Sequence, residues 1–337
     1  MAVHRDSTRA RPRMNDQDHP RMLLQRSPST LGFLAETLTG LSKSPKELLC
    51  KFFYDDRGAK LFQKICELPE YYITRTELGI LRLRGAEVAA ALGPDIELIG
   101  LGTGAGTKTK ILLEELRDPS VYIPIDISQE QLQGSTRRFL QLFPKLEILP
   151  IAADYLAPFE LPLPRKPSLR SIVYFPGSTI GNFEPVAGVR FLRRLFDLCG
   201  VDGGLLIGVD LQKNPAIIEA AYNDSRGVTA DFNLNLLVRA NHELGANFDL
   251  NNWRHRAIYN QSHGRVEMYL ISQIEQWVRI EDREFHFLAN EKVLTEYSYK
   301  YTPEGFAALA GQAGFRFEQL WTDDARLFGV FYFSVAN

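Results

Sequence analysis

The strongest constraint on this chain is a rhythm that begins after Pro94. Five short apolar, β-branched runs occupy residues 96–101 (IELIGL), 121–127 (VYIPIDI), 147–152 (EILPIA), 171–175 (SIVYF) and 204–209 (GLLIGV). Helical patterns at 109–116, 129–143 and 186–198 separate them. Strands this continuously apolar need both faces covered, so the alternation predicts a parallel sheet built from βαβ units. Two more strand patterns, near 316–322 and 328–335, stand only a few residues apart. That gap is too short for a crossover, so they form a hairpin.

The rhythm fills only part of the 337 residues, a length beyond a typical single domain. Residues 30–92 read as mostly helical. Phe33, Leu34, Leu38 and Leu41 recur at helix spacing, and residues 60–67 place Leu61, Phe62 and Ile65 on one face. A longer helix follows over 76–92, and two aromatic turns, 52–54 (FFY) and 69–72 (PEYY), lie before it. Between about Lys213 and Lys300 the rhythm gives way to a helix-and-loop region (216–244) and alternating segments at 266–273 and 278–284. An insertion there covers the carboxyl ends of the strands, where open α/β sheets bind ligands. The division expected is a catalytic α/β domain (77–212 and 301–337) with a substrate-binding lobe (30–76 and 213–300). Residues 1–29 hold six Arg, no Lys and little apolar surface to offset the entropy of ordering, so a flexible extension is expected.

Composition mainly excludes. Lys and Arg total 39 against 41 Asp and Glu, a net charge of −2, which argues against a dedicated nucleic-acid binder. No apolar run approaches the roughly 18 residues that a membrane span requires. Cys50, Cys66 and Cys199 form no CxxC pair, which fits reduced thiols in a cytoplasmic protein. The expected partner is a small molecule, with no nucleic acid and no membrane, and the chain is expected to act as a monomer.

The first strand runs into the loop 100–109 (GLGTGAGTKT). Glycines at a strand-to-helix turn let backbone approach a ligand, and the helix N-terminus adds positive potential. Nicotinamide, flavin and S-adenosylmethionine (SAM) sites all use such loops. Asp126 ends the second strand, where an acid accepts from ribose hydroxyls; its alternative role, a helix N-cap, suits Ser128 better. Asp154 and Tyr155 end the third strand. After the fourth comes 176–183 (PGSTIGNF), a polar loop whose Asn182 amide can hold a carboxylate or an amine.

A parallel sheet closed by an antiparallel hairpin is the architecture of class I methyltransferases. From about Leu31 onward the chain resembles the SAM-dependent, histidine-specific Nα-methyltransferases of the ergothioneine pathway. The residues that carry the resemblance are 53–58 (FYDDRG), 68–77 (LPEYYITRTE), 177–182 (GSTIGN), 222–224 (YND), 227–230 (GVTA) with Phe232 and Asn233, 265–268 (RVEM) and 294–298 (LTEYS). The resemblance implies an enzyme that trimethylates the α-amino group of L-histidine, giving the betaine hercynine and S-adenosylhomocysteine, with no metal.

It also implies roles. Gly102, Lys108, Asp126, Asp154 and Tyr155 match SAM-binding positions. Asn182 and Tyr222 match residues that hold the substrate carboxylate, with Gly177 and Tyr54 beside the reacting amine. Tyr71, Glu296 and Ser298 match the group that recognises the imidazole, and Phe62 and Met268 line the pocket. Tyr54 is expected to orient the amine or a water near it; no strong general base is evident.

Some positions depart from the family. Gly100 stands where such enzymes carry an acid, with Glu97 further back along the strand, Pro176 precedes the GSTIGN loop where an aliphatic residue is usual, and Tyr297 and Tyr299 flank Ser298 with unusual aromatic bulk. The rival readings are an N-methyltransferase of another aromatic amino acid such as tryptophan, a nicotinamide-dependent oxidoreductase, and a non-catalytic binding module. Glu296 and Met268 favour histidine over tryptophan, and the terminal hairpin speaks against the oxidoreductase.

Overall fold

A computed structural model describes residues 23–24 and 30–335 of the chain. A two-residue strand β1 (Leu23–Leu24) precedes three helices, α1 (Thr30–Leu41), α2 (Asp56–Cys66) and α3 (Tyr72–Leu92). Helix α2 starts before its apolar stripe because Asp55 caps it, accepting from the Gly58 amide at 2.7 Å. Helix α3 likewise begins inside the second aromatic turn, since Tyr72 and Ile73 extend the buried face of Ile80, Leu81 and Val88.

The alternating region then gives β2 (Ile96–Leu101), α4 (Thr107–Glu115), β3 (Val121–Asp126), α5 (Gln129–Leu142), β4 (Glu147–Ile148), β5 (Ile151–Ala152), β6 (Arg170–Phe175), α6 (Pro185–Cys199) and β7 (Gly204–Asp210). The single strand expected over 147–152 is two short pieces. Pro150 between them has no N–H to give to the ladder. Every residue of β2, β3 and β7 is buried, as strands covered on both faces must be.

The insertion supplies α7 (Pro215–Tyr222), α8 (Val228–Leu244) and five strands: β8 (Trp253–Asn260), β9 (Arg265–Ser272), β10 (Gln276–Ile280), β11 (Arg283–Phe287) and β12 (Lys292–Tyr299). The sequence pattern indicated alternating segments only around β9 and across β10 and β11. Polar residues such as Arg254, His255 and Arg256 mask the strand β8. Helix α9 (Pro303–Gln312) and strands β13 (Phe315–Thr322) and β14 (Phe328–Val335) complete the chain.

The main sheet has the order β1-β5-β3-β2-β6-β7-β14-β13. It is parallel from β1 to β7, and β14 runs antiparallel to both β7 and β13. The hairpin therefore joins the sheet by its second strand. Strand β1 lies within the extension expected to be flexible, yet pairs with Ile151 and Ala152 of β5; the rest of residues 1–29 lies outside the described residues. No helix among the described residues is long and apolar enough to cross a membrane.

A second sheet, β12-β9-β8, and the hairpin of β10 and β11 belong to the insertion. The N-terminal helices pack against that insertion: the Phe53 ring stacks on Phe232 of α8 at 4.5 Å between centroids. The loop after β6 also reaches it. Gly181 makes the approach possible, since a Cβ there would stand 2.7 Å from the Tyr299 carbonyl oxygen.

Candidate active site

A cavity, part of it open to solvent, lies where the loop after β6 meets the inserted elements. Tyr54, Phe62 and Tyr71 line it from the N-terminal region, and Gly177 and Asn182 from the loop after β6. Tyr222 enters from the end of α7, Met268 from β9, and Glu296 and Ser298 from β12. All nine residues assigned to the substrate thus share one cavity, although they are spread from position 54 to 298.

Local structure explains the placement. On β12, Glu296 and Ser298 point to the same side because successive strand side chains alternate. A bulge sets that side. Leu294 pairs with Tyr269 but Glu296 pairs with Met268, so Thr295 is the extra residue. Its hydroxyl donates to the Met268 carbonyl at 3.1 Å. Glu296 and Met268 therefore face each other directly across the ladder. At the loop, Gly177 adopts φ 85°, a conformation that favours glycine.

The electrostatics follow from burial. Glu296 lines the cavity, and desolvation pushes its carboxyl up to about 7, with the Lys300 ammonium opposing. Burial holds the phenols of Tyr54 and Tyr71 well above their ordinary value, so both are neutral hydroxyls. The Tyr54, Phe62 and Phe232 rings surround one end of the cavity, with centroids 5.6 to 5.9 Å apart.

The loop after β2 forms the neighbouring site. Asp126, which burial raises above the usual carboxyl range, accepts from the Gly104 amide at 3.0 Å and the Ser128 amide at 2.9 Å. Ser128 caps α5, accepting from the Gln131 amide. A Cβ at Gly102 would stand 3.5 Å from the Tyr155 ring, which places that ring across the loop. Asp154 accepts from the Leu156 amide at 2.8 Å and faces Lys51 at 3.6 Å. Lys108 lies 2.5 Å from Glu77 and close to Gly177, so it touches both sites.

The exceptional Gly100 has a steric cause. A Cβ there would meet the Thr103 methyl at 2.6 Å and the Tyr122 ring at 3.1 Å. Glu97 does not replace the missing acid, because it accepts from the Ser171 hydroxyl at 2.6 Å. The glycine loop, the α4 N-terminus, the acid closing β3 and the Tyr155 ring still fit an adenosine-bearing sulfonium cofactor. Among the described residues, no group of three or more His, Cys, Asp or Glu is placed to hold a metal ion.

Motif spacing did not single out Glu77, Phe232 or Lys300. Glu77 and Phe232 lie inside motifs quoted above, where only their proximity in the fold gives them weight. Lys300 reads as a surface lysine until the fold buries it completely.

The sheet order, the terminal hairpin and the loop after β2 define a class I SAM-dependent methyltransferase. Residues 33–335 match the family described as histidine-specific methyltransferase, SAM-dependent, and the chain belongs to that family. It is 42% identical to the histidine N-alpha-methyltransferase of Mycolicibacterium smegmatis, over 86% of this chain and 91% of that one. The histidine N-alpha-methyltransferase of Mycobacterium tuberculosis is 39% identical, over 89% and 94%. Ergothioneine biosynthesis protein 1 of Neurospora crassa is 30% identical over 82% of this chain and 32% of its own length.

Proposed function

We propose that the chain transfers methyl groups from SAM to the α-amino group of L-histidine, three times in succession. The products are hercynine and S-adenosylhomocysteine, and the reaction is the first step of ergothioneine biosynthesis. The observation that carries this reading is the Glu296–Ser298 pair opposite Met268, facing Asn182 and Tyr222 in one cavity. A carboxylate and a hydroxyl side by side accept one imidazole N–H, while Tyr71 bonds the other ring nitrogen. Asn182 and Tyr222 hold the carboxylate. Such a site rejects ligands lacking its polar partners far better than an apolar pocket does. An indole has only one ring nitrogen and needs more room, so tryptophan is disfavoured.

Gly102, Lys108, Asp126, Asp154 and Tyr155 hold the cofactor, which when bound supplies a methyl group activated by a sulfonium. The remaining task of the chain is orientation. A neutral amine must stand about 3 Å from the methyl carbon, in line with the sulfur–carbon bond. Anchoring both ends of histidine leaves the amine free to turn between rounds, with Gly177 and Tyr54 beside it. Tyr54, a neutral phenol, positions the amine or a water rather than acting as a strong base. The aromatic rings around it suit a nitrogen that becomes permanently cationic.

We also infer that residues 30–76 and 213–300 form the substrate lobe on a methyltransferase domain of 77–212 and 301–337. The chain is read as a monomer, and the three free cysteines suit the cytoplasm. Incubation with SAM and L-histidine, followed by mass spectrometry, tests the activity. The expected result is successive gains of one, two and three methyl groups. Gain with tryptophan and none with histidine would overturn the specificity.

A further inference from the structure

Lys300, the residue after β12, is fully buried and has no role so far. Its ammonium has three protons and three acceptors: Asp210 Oδ2 at 2.8 Å, the Tyr222 hydroxyl at 2.8 Å and the Ser298 hydroxyl at 2.9 Å. The two hydroxyls are 2.9 Å from each other. Behind them, Asp210 is equally buried. It accepts from the Tyr72 hydroxyl at 2.9 Å and from Lys213 at 2.5 Å, and its own amide donates to Ser178 Oγ at 2.8 Å. Two ammonium groups thus flank one carboxylate. Burial alone would lower the Lys300 ammonium, but Asp210 and Tyr222 outweigh it and hold it above its ordinary range.

An ammonium only donates, so its geometry dictates the hydroxyl protons. Tyr222 and Ser298 both accept from Lys300, and neither can aim its proton there. One of their two protons serves the bond between them. The other is left for the cavity. We propose that Lys300 is a positioning residue that makes the Tyr222 hydroxyl a donor into the cavity, and thereby selects substrates with an α-carboxylate. Ser298 then gives its proton to Tyr222. This inference rests on the reading of Tyr222 as the carboxylate partner.

A ligand-by-mutation comparison tests it. Histamine has the imidazole and the amine of histidine but no carboxylate. Binding of both is measured by competition calorimetry in the presence of S-adenosylhomocysteine, for the unaltered protein, Lys300→Met and Tyr222→Phe. In Lys300→Met, histidine weakens by about tenfold or more, since hydrogen bonds to charged groups carry that much. Histamine changes by less than about twofold, so the preference for the carboxylate collapses. Equal weakening of both ligands marks a merely structural lysine and overturns the proposal, as does an unchanged ratio. An unchanged ratio in Tyr222→Phe sinks the underlying assignment of Tyr222. A ratio that falls in Tyr222→Phe but holds in Lys300→Met sinks only the role of Lys300. If Lys300→Met does not fold, Lys300→Met/Asp210→Asn, which neutralises both members of the ion pair, carries the same comparison.

Discussion

Lys108 Nζ lies 2.5 Å from the Glu77 carboxylate, a group with no exposed surface, and that carboxylate also accepts the Gly177 amide at 3.0 Å. One buried acid therefore ties the helix after the glycine loop to the loop that lines the cavity. It sits in a motif of α3, far in sequence from both partners, and its position gives the two halves of the site a common reference point.

Replacing Glu77 by Ala leaves the Gly177 amide and a largely buried ammonium without their partner. The expected cost is about 3 kcal/mol in urea unfolding, the usual penalty for breaking a buried pair from one side. Glu77→Gln keeps an acceptor for the amide but loses the ion pair. It is expected to recover part of that stability while still raising the KM for SAM. Equal stability of Glu77→Ala and the unaltered protein would contradict this account.

Glu296 carries a stability cost that can be measured. Its folded carboxyl is raised from 4.5 to about 7, so the folded state holds a proton over a range where the unfolded state has released it. Stability therefore falls as pH rises from 4.5 to 7, and the full cost is present above pH 7. Glu296→Gln removes it. In the absence of ligand the variant should gain up to about 3 kcal/mol at pH 8, a gain that fades toward pH 4.5. Its histidine affinity should drop by at least about tenfold. A variant with unchanged stability at both pH values would show that the carboxyl is not perturbed.

Tyr54→Phe should lower kcat by about 10- to 100-fold through misplacement of the amine. Partly methylated histidine should accumulate as a result. Because burial keeps this phenol protonated, the pH–rate profile of the unaltered protein should show no step from it below about pH 10. Three methylation steps at unchanged rates would remove Tyr54 from the mechanism.

At Gly100 the steric argument gives a sign opposite to the usual gain from filling a strand glycine. Gly100→Ala forces a methyl against Thr103 and Tyr122 and should cost about 1 to 3 kcal/mol. Thr103→Ala removes the nearest clash, so combining the two substitutions should return part of the loss. Thermal unfolding of the three variants decides it.

Much of the fold was legible because parallel strands announce themselves. Runs such as Leu98–Ile99 and Leu205–Leu206 are buried on both faces, and that continuity is visible in one dimension. The inserted strands were less legible. In β8, exposed and buried residues mix with charges, and pairing with β9 rather than local preference makes it a strand. The helix starts at Asp56 and Tyr72 were hidden for similar reasons, since a cap and a buried aromatic extend each helix beyond its apolar stripe.

The sequence by itself determined the parallel α/β core, the closing hairpin, the glycine loop and the family motifs that supply the site's side chains. These depend on local periodicity or on residues adjacent in the chain. Tertiary structure alone decided how the side chains meet. The bulge at Thr295 turns Glu296 to face Met268, the Glu77 carboxylate joins Lys108 to Gly177, and Lys300 is buried against Asp210, Tyr222 and Ser298. Register between distant strands and the compensation of buried charge depend on partners far apart in sequence. No spacing along the chain encodes them.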